Sequence, residues 1–145
     1  MTNPVDVRDV LATQIYNQFV TAQPTVEIYF SNHPSPENAN EIHVIVEIMP
    51  GDNDRAEIGN VANPLVRHTG VVNVRVMIPQ DTGTRAGMLV CDTIYGILFD
   101  QQYAIPGGGH VTTYGCEMST RGVVNGWFAT SVQCQYRAFI RLTRP

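Results

Sequence analysis

The stretch VVNVRVMIPQDTGTRAGMLVCDTIYGILF, Val71 to Phe99, decides how the chain is read. Its first half alternates: Val72, Val74, Val76 and Ile78 share one face, opposite Asn73 and Arg75. A period of two is what a half-buried strand requires. Pro79 ends the run and Gly83-Thr84 turns the chain. From Thr84 to Phe99 the period lengthens, and Val90, Cys91, Ile94, Ile97 and Leu98 form a helical stripe with Thr82 or Thr84 as its cap. Gly96 weakens such a helix by about 1 kcal/mol relative to alanine, and is read as a point of close packing on the sheet.

Strand, glycine turn and helix is also the order of a phosphate-binding loop. That loop needs GxxxxGK[ST], with the lysine reaching the terminal phosphates. Here Met88 stands where the second glycine is required, and the chain has no lysine at all. The dinucleotide pattern GxGxxG fails too, because Gly83 and Gly87 are the only glycines in the turn region. The stretch is a corner from strand to helix.

Working outward, Asn3-Pro4 supplies a cap residue and a first-turn proline, and Val7, Val10, Leu11, Ile15 and Phe19 recur at helical spacing. This predicts a helix from Pro4 to Thr21 with Arg8, Asp9, Thr13, Asn17 and Gln18 on its wet side, ended before Pro24. TVEIYFSN places Val26, Ile28 and Phe30 on one face of a strand and Glu27 and Tyr29 on the other. After the loop HPSPENANE, a second and central strand alternates Ile42, Val44, Val46 and Ile48 with His43, Ile45, Glu47 and Met49. PGDNDRAEIGNVANP reads as a long polar connection, so the second and third strands form a hairpin with an extended tip.

IPGGGH reads as a flexible loop. HVTTYGCEMSTRG is read as a strand aligning Tyr114, Cys116 and Met118. NGWFATSVQCQYRAFIRL is the last strand, where Val132, Cys134, Tyr136, Ala138, Ile140 and Leu142 alternate with Gln133, Gln135, Arg137, Phe139 and Arg141. The expected architecture is α+β in one domain, residues 1–145: a mostly antiparallel sheet of about five strands with two helices packed on one face.

Composition narrows the function. The chain has 145 residues, 43% hydrophobic and only 15% charged, with a net charge of −4. A charge deficit of this kind suggests surface covered by a partner, and an acidic chain has no field to attract a nucleic-acid backbone. Cys91, Cys116 and Cys134 are odd in number and lie in apolar patterns, as buried reduced thiols do. The N-terminus shows no secretory pattern and no apolar run approaches the roughly 20 residues of a membrane span, so a soluble product made in the cytoplasm is expected.

Catalytic patterns are missing. Without lysine there is no Schiff-base chemistry, and no GxSxG elbow is present. His33, His43, His68 and His110 lie in separate segments without the spacing of a metal site. GDNDRAE starts like a calcium loop with Asp52 and Asp54, but Ala56 and Glu57 occupy positions that need an oxygen ligand and a glycine. Asp92 and Asp100 have no evident carboxylate partner. Trp127, after the Asn125-Gly126 turn, closes over the sheet, although tryptophan is also common at interface centres. No enzyme activity, cofactor or metal is expected.

What remains is an arrangement. The first helix, the strands, RHTGVVNVRVMIPQDTGTRAGMLVCDTIYGILF and NGWFATSVQCQYRAF resemble the small tail-terminator proteins of long-tailed bacteriophages. The marks are the strand from Gly70 to Pro79, the Gly83-Thr84 turn with its helix, and the Gly126-Trp127 entry to the last strand. The resemblance implies a virion subunit of the tail or neck, assembled in the host cytoplasm. It implies a ring, typically a homohexamer, on the head-proximal end of the tail tube, where it stops tube growth and docks the head connector. Its partners would be further copies of itself, the major tail tube protein and the head-completion protein, with DNA passing through the lumen without specific binding. Interface candidates are Asp52, Asp54, Arg55, Arg75, Arg137 and Arg141, since arginine suits planar pairing at interfaces and an acidic tip facing the lumen would repel phosphates. The alternatives are another neck component, such as a head-closure or tail-completion subunit, or a cytosolic ligand-binding domain or small enzyme with the Gly107 to Gly109 loop as a lid over a pocket.

Overall fold

The computed structural model describes residues 4–30, 41–55, 65–79, 85–106, 108–124 and 126–141. Helix α1 spans Pro4–Ala22 and buries Val7, Leu11, Ile15 and Phe19, one residue per turn. Gln23 N donates to Phe19 O at 2.7 Å, and Pro24 follows. Gln18, expected to face water, instead donates to Tyr103 Oη at 3.1 Å. Helix α2 spans Arg85–Leu98 and buries Val90, Cys91, Ile94, Ile97 and Leu98, as its stripe required. The expected caps of both helices fall outside the described residues.

The glycine that matters in α2 is not Gly96, which is exposed with nothing within 4 Å of a Cβ built there. It is Gly87, where a Cβ would overlap Ile78 Cδ1. The sequence points to close packing, but one helical turn or more from where it occurs.

Six strands form one sheet rather than about five: β1 Glu27–Phe30, β2 His43–Arg55, β3 Leu65–Pro79, β4 Gln102–Ala104, β5 His110–Val124 and β6 Trp127–Arg141, in the order β1-β2-β3-β6-β5-β4. The sheet is mixed. β1 runs parallel to β2, and the remaining neighbours are antiparallel. β1 ends at Phe30 and β2 begins at His43, a separation of the length a parallel crossover needs. β4 escapes a periodicity reading because its three residues hold a single buried side chain, Tyr103.

β3 alternates buried with half-buried or exposed side chains along its whole length, so the sheet has one covered face and one open face. Val72, Val74, Val76 and Ile78 face the helices beside Cys134, Val132, Thr130 and Phe128 of β6. The end of α2 is fastened to this layer by side chains. Tyr103 Oη donates to Ile97 O at 2.6 Å, and Thr113 Oγ1 donates to Leu98 O at 2.6 Å. These bonds satisfy carbonyls that a helix C-terminus leaves without intrahelical partners.

Two bulges correct the sequence reading. β2 does not stop at Met49: it continues to Arg55 after a register shift between Pro50 and Asn53, so the acidic GDND segment is strand rather than loop. β5 shifts register between Tyr114 and Glu117, with Gly115 at φ 64°. Tyr114 therefore lies on the open face, while Cys116 and Met118 lie on the helix side, instead of all three aligning.

Candidate functional site: the open face of the sheet

The open face is built from the polar half of each alternating strand. Near its middle, Arg75 Nη2 of β3 meets Glu47 Oε1 of β2 at 2.7 Å, with both side chains about one-third exposed. Such a pair is worth no more than about 1 kcal/mol. Arg75 pairs in register with Ser131 of β6, and Arg75 Nε and Ser131 Oγ are both buried without a hydrogen-bond partner among the described residues. Polar atoms left in this way cost stability until a partner satisfies them.

Toward one end of the face, the β2 bulge opens a groove of about 370 Å³ lined by Asp52, Arg67, Thr69, Tyr114, Gln135 and Arg137, among others. The Arg137 guanidinium lies 5.4 Å from the centre of the Tyr114 ring, a cation–π arrangement. Thr69 Oγ1 donates to the Asp52 carbonyl at 3.3 Å, which ties the bulge to β3. At the other end the face is aromatic. Trp127 stands edge-on to His43 at 4.9 Å, and His43 to Tyr29 at 6.0 Å. His43 is buried there and donates from Nδ1 to Glu41 O at 3.2 Å.

Of the six predicted interface residues, Asp52 and Arg137 both line the groove and Arg75 lies farther along the same face. Asp54, Arg55 and Arg141 are placed by backbone only, opposite Arg67, Val66 and Leu65 at one end of the sheet. Their side chains lie outside the described residues. Arg67, Tyr114 and Gln135 complete the groove and were not singled out. Arg67 and Gln135 sit at polar positions of clear alternation; Tyr114 was hidden by the Gly115 bulge.

Behind the groove, on the covered side, the core holds a polar cluster. A neutral His68 ring donates from Nδ1 to Asn53 Oδ1 at 2.7 Å and accepts at Nε2 from Tyr136 Oη at 3.4 Å. Burial lowers the pKa of His68, keeping the ring neutral, and raises that of Tyr136 against a smaller opposing effect of Arg8. Cys116 and Cys134 approach to 2.9 Å, and both also reach the Leu98 carbonyl. Burial raises all three thiols, Cys91 to about 11. Neutral thiols are poor nucleophiles and poor metal ligands. Among the described residues, no group of histidine, cysteine and carboxylate side chains able to hold a metal occurs, and no helix is long and apolar enough to cross a membrane.

A second cleft of about 350 Å³ lies between α1 and the β4–β5 turn, lined by Asp6, Asp9, Val10, Thr13, Gln14, Ala104 and Pro106. The glycine segment beside it is a hydrogen-bonded turn: Ile105 N donates to Gly109 O and Gly108 N to Ile105 O, each at 3.0 Å. Gly107 lies outside the described residues.

The fold has solved counterparts. One solved chain that carries no descriptive name is 14% identical and superposes over 100% of this chain and 99% of its own, with a TM-score of 0.72. A chain from the virion of a native gene transfer agent particle is also 14% identical, over 94% of this chain and 98% of its own, with a TM-score of 0.51. No family model matches the sequence, and no curated protein does. At these identities the likeness is one of fold.

Proposed function

We propose that this chain is a structural subunit of a phage-like virion, of the tail-terminator type. It forms a ring at the head-proximal end of the tail tube, ends tube growth and offers the head connector a docking surface. The observation that carries the reading is the end-to-end likeness to a gene transfer agent virion chain, which covers nearly all of both chains. The motif resemblance running from Gly70 through Trp127 points the same way, and so does a sheet whose open face carries arginines in a polar groove at one end and aromatic rings at the other. Binding is by surface complementarity: one face of the ring matches the tube, the other does not repeat it, and no covalent chemistry is involved.

The same likeness fits a head-closure or tail-completion subunit, and one experiment separates them. The protein is added to polymerising tail-tube subunits and tube lengths are measured by negative-stain microscopy. A terminator shortens the tubes in proportion to its concentration and appears as a ring at one end. Unchanged lengths, with a chain that stays monomeric and never binds a tube end, exclude the reading.

A further inference from the structure

The two edges of the sheet are stepped, and the steps are complementary. On one side, β1 covers only His43 to Val46 of β2, so from Glu47 to Arg55 β2 has no neighbour there among the described strands. On the other side, β4 covers only His110 to Thr112 of β5, and one further backbone bond joins Thr113 N to Gln101 O. From Tyr114 to Val124, β5 has no neighbour on that side among the described strands. Tracing the register across the sheet, Val46 lies level with Val74, Val132 and Met118. The end where β1 protrudes is thus the end where β5 is recessed, and β4 protrudes at the end where β2 is recessed.

Exposed strand edges of this length invite pairing with another chain. We propose that the recess along β5 receives β1 of a second copy of this chain, so that neighbouring subunits join head to tail by a stepped joint between sheet edges. An unrelated strand could fill one recess; a copy displaced across the sheet fills both with one operation. The directions agree, because β1 runs parallel to β2 and β5 runs opposite to β2, which makes the β1–β5 contact antiparallel. A head-to-tail contact is the kind that closes into a ring when its rotation permits.

The side chains match when the copy is placed level. Phe30 meets Met118, which is 44% exposed in the isolated chain, both on the helix side. Glu27 comes level with Gly122, one residue from Arg121, and both charged side chains are exposed, so their opposite charges are brought near each other.

The inference rests on the ring reading and specifies its contact. The test is backbone amide exchange on the full chain, free and assembled. Assembly should protect the outward amides between Tyr114 and Val124, while those of the β6 centre, already paired, change little. In parallel, Arg121→Glu should weaken self-association on the order of fivefold per joint, and Glu27→Arg in the same chain should restore it. Circular dichroism of each variant confirms that the fold is retained. Rings that form without new protection on β5 overturn the joint and leave the ring standing. Protection that appears only when tube subunits are added makes the tube protein the occupant and also overturns it. A chain that stays monomeric under every condition overturns both readings.

Discussion

Gly70 offers a substitution whose sign is decided by the structure. It lies in β3 opposite Tyr136, and its φ is not positive, so alanine can adopt its backbone conformation. Conformational entropy alone would make Gly70→Ala stabilising by about 0.4–1 kcal/mol. Sterics oppose this. A Cβ would overlap Cζ and Oη of the Tyr136 ring and come 2.6 Å from Met49 O, a backbone atom of the adjacent strand. The tyrosine hydroxyl is bonded to His68 at 3.4 Å and the ring is 1% exposed, so neither neighbour can yield cheaply. Overpacking a core costs about 1–3 kcal/mol, and a backbone neighbour places this site at the upper end. A net loss of about 2–3 kcal/mol lowers Tm by roughly 5–10 °C in a chain of this size. The control is Gly96→Ala in α2, where nothing lies within 4 Å and a gain of about 1 kcal/mol is expected. Urea denaturation monitored by circular dichroism measures both. If Gly70→Ala is as stable as the parent, or if adding Tyr136→Leu does not recover part of the loss, the steric reasoning fails.

Other outcomes follow from the same geometry. Burial lowers the pKa of His68, so the unfolded chain takes up a proton near pH 6.5 before the native chain does; stability should hold above that pH and fall as the pH drops below it. The slope should flatten in His68→Gln, as read from urea midpoints between pH 8 and pH 5. Since burial raises all three thiols, Ellman's reagent should react slowly with the native chain at pH 7.5 and rapidly after denaturation; fast native reaction would contradict their burial. A double-mutant cycle on Glu47→Gln and Arg75→Met should give a coupling of no more than about 1 kcal/mol, weakening with salt. Replacing Asp52 and Asp54 with asparagine should change self-association little, because the β1–β5 arm is untouched and the β4 arm, which runs along their stretch of β2, pairs through backbone groups that the substitutions keep; lost assembly would move the contact to side chains at the groove end of the sheet.

The elements that could be read from the sequence were those whose pattern exceeds a few residues. The stripe of α1, the alternation of β3 and β6 and the break at Pro79 each repeat one physical constraint many times. What the pattern missed depended on single residues. β4 is too short to have a period, the parallel β1–β2 contact depends on a connection length rather than a motif, and the bulges at Gly51-Asp52 and Gly115-Cys116 change the facing of the residues that follow them, in β5 as far as Thr120. The candidate site suffered for the same reason. Asp52 and Arg137 were named and both line the groove, but Tyr114 was aligned with Cys116 and Met118, from which the bulge separates it, and Gly87 rather than Gly96 makes the close contact.

The two irregularities of β5 form a pair. Up to Tyr114 its even-numbered residues face out; from Glu117 to Thr120 the odd-numbered ones do; from Gly122 the even-numbered ones face out again. The strand is thus written in three phases, with Gly115 and Gly122, both at positive φ, near the changes. Each change is one extra residue of β5 against β6, so losing Gly115 would leave Cys116 and Met118 in phase with Cys134 and Val132, and losing Arg121 would leave the turn before Trp127 undisturbed. Chains that share this fold but differ by a residue in this strand should therefore be compared phase by phase, because an ungapped alignment would match inward side chains with outward ones over the middle segment.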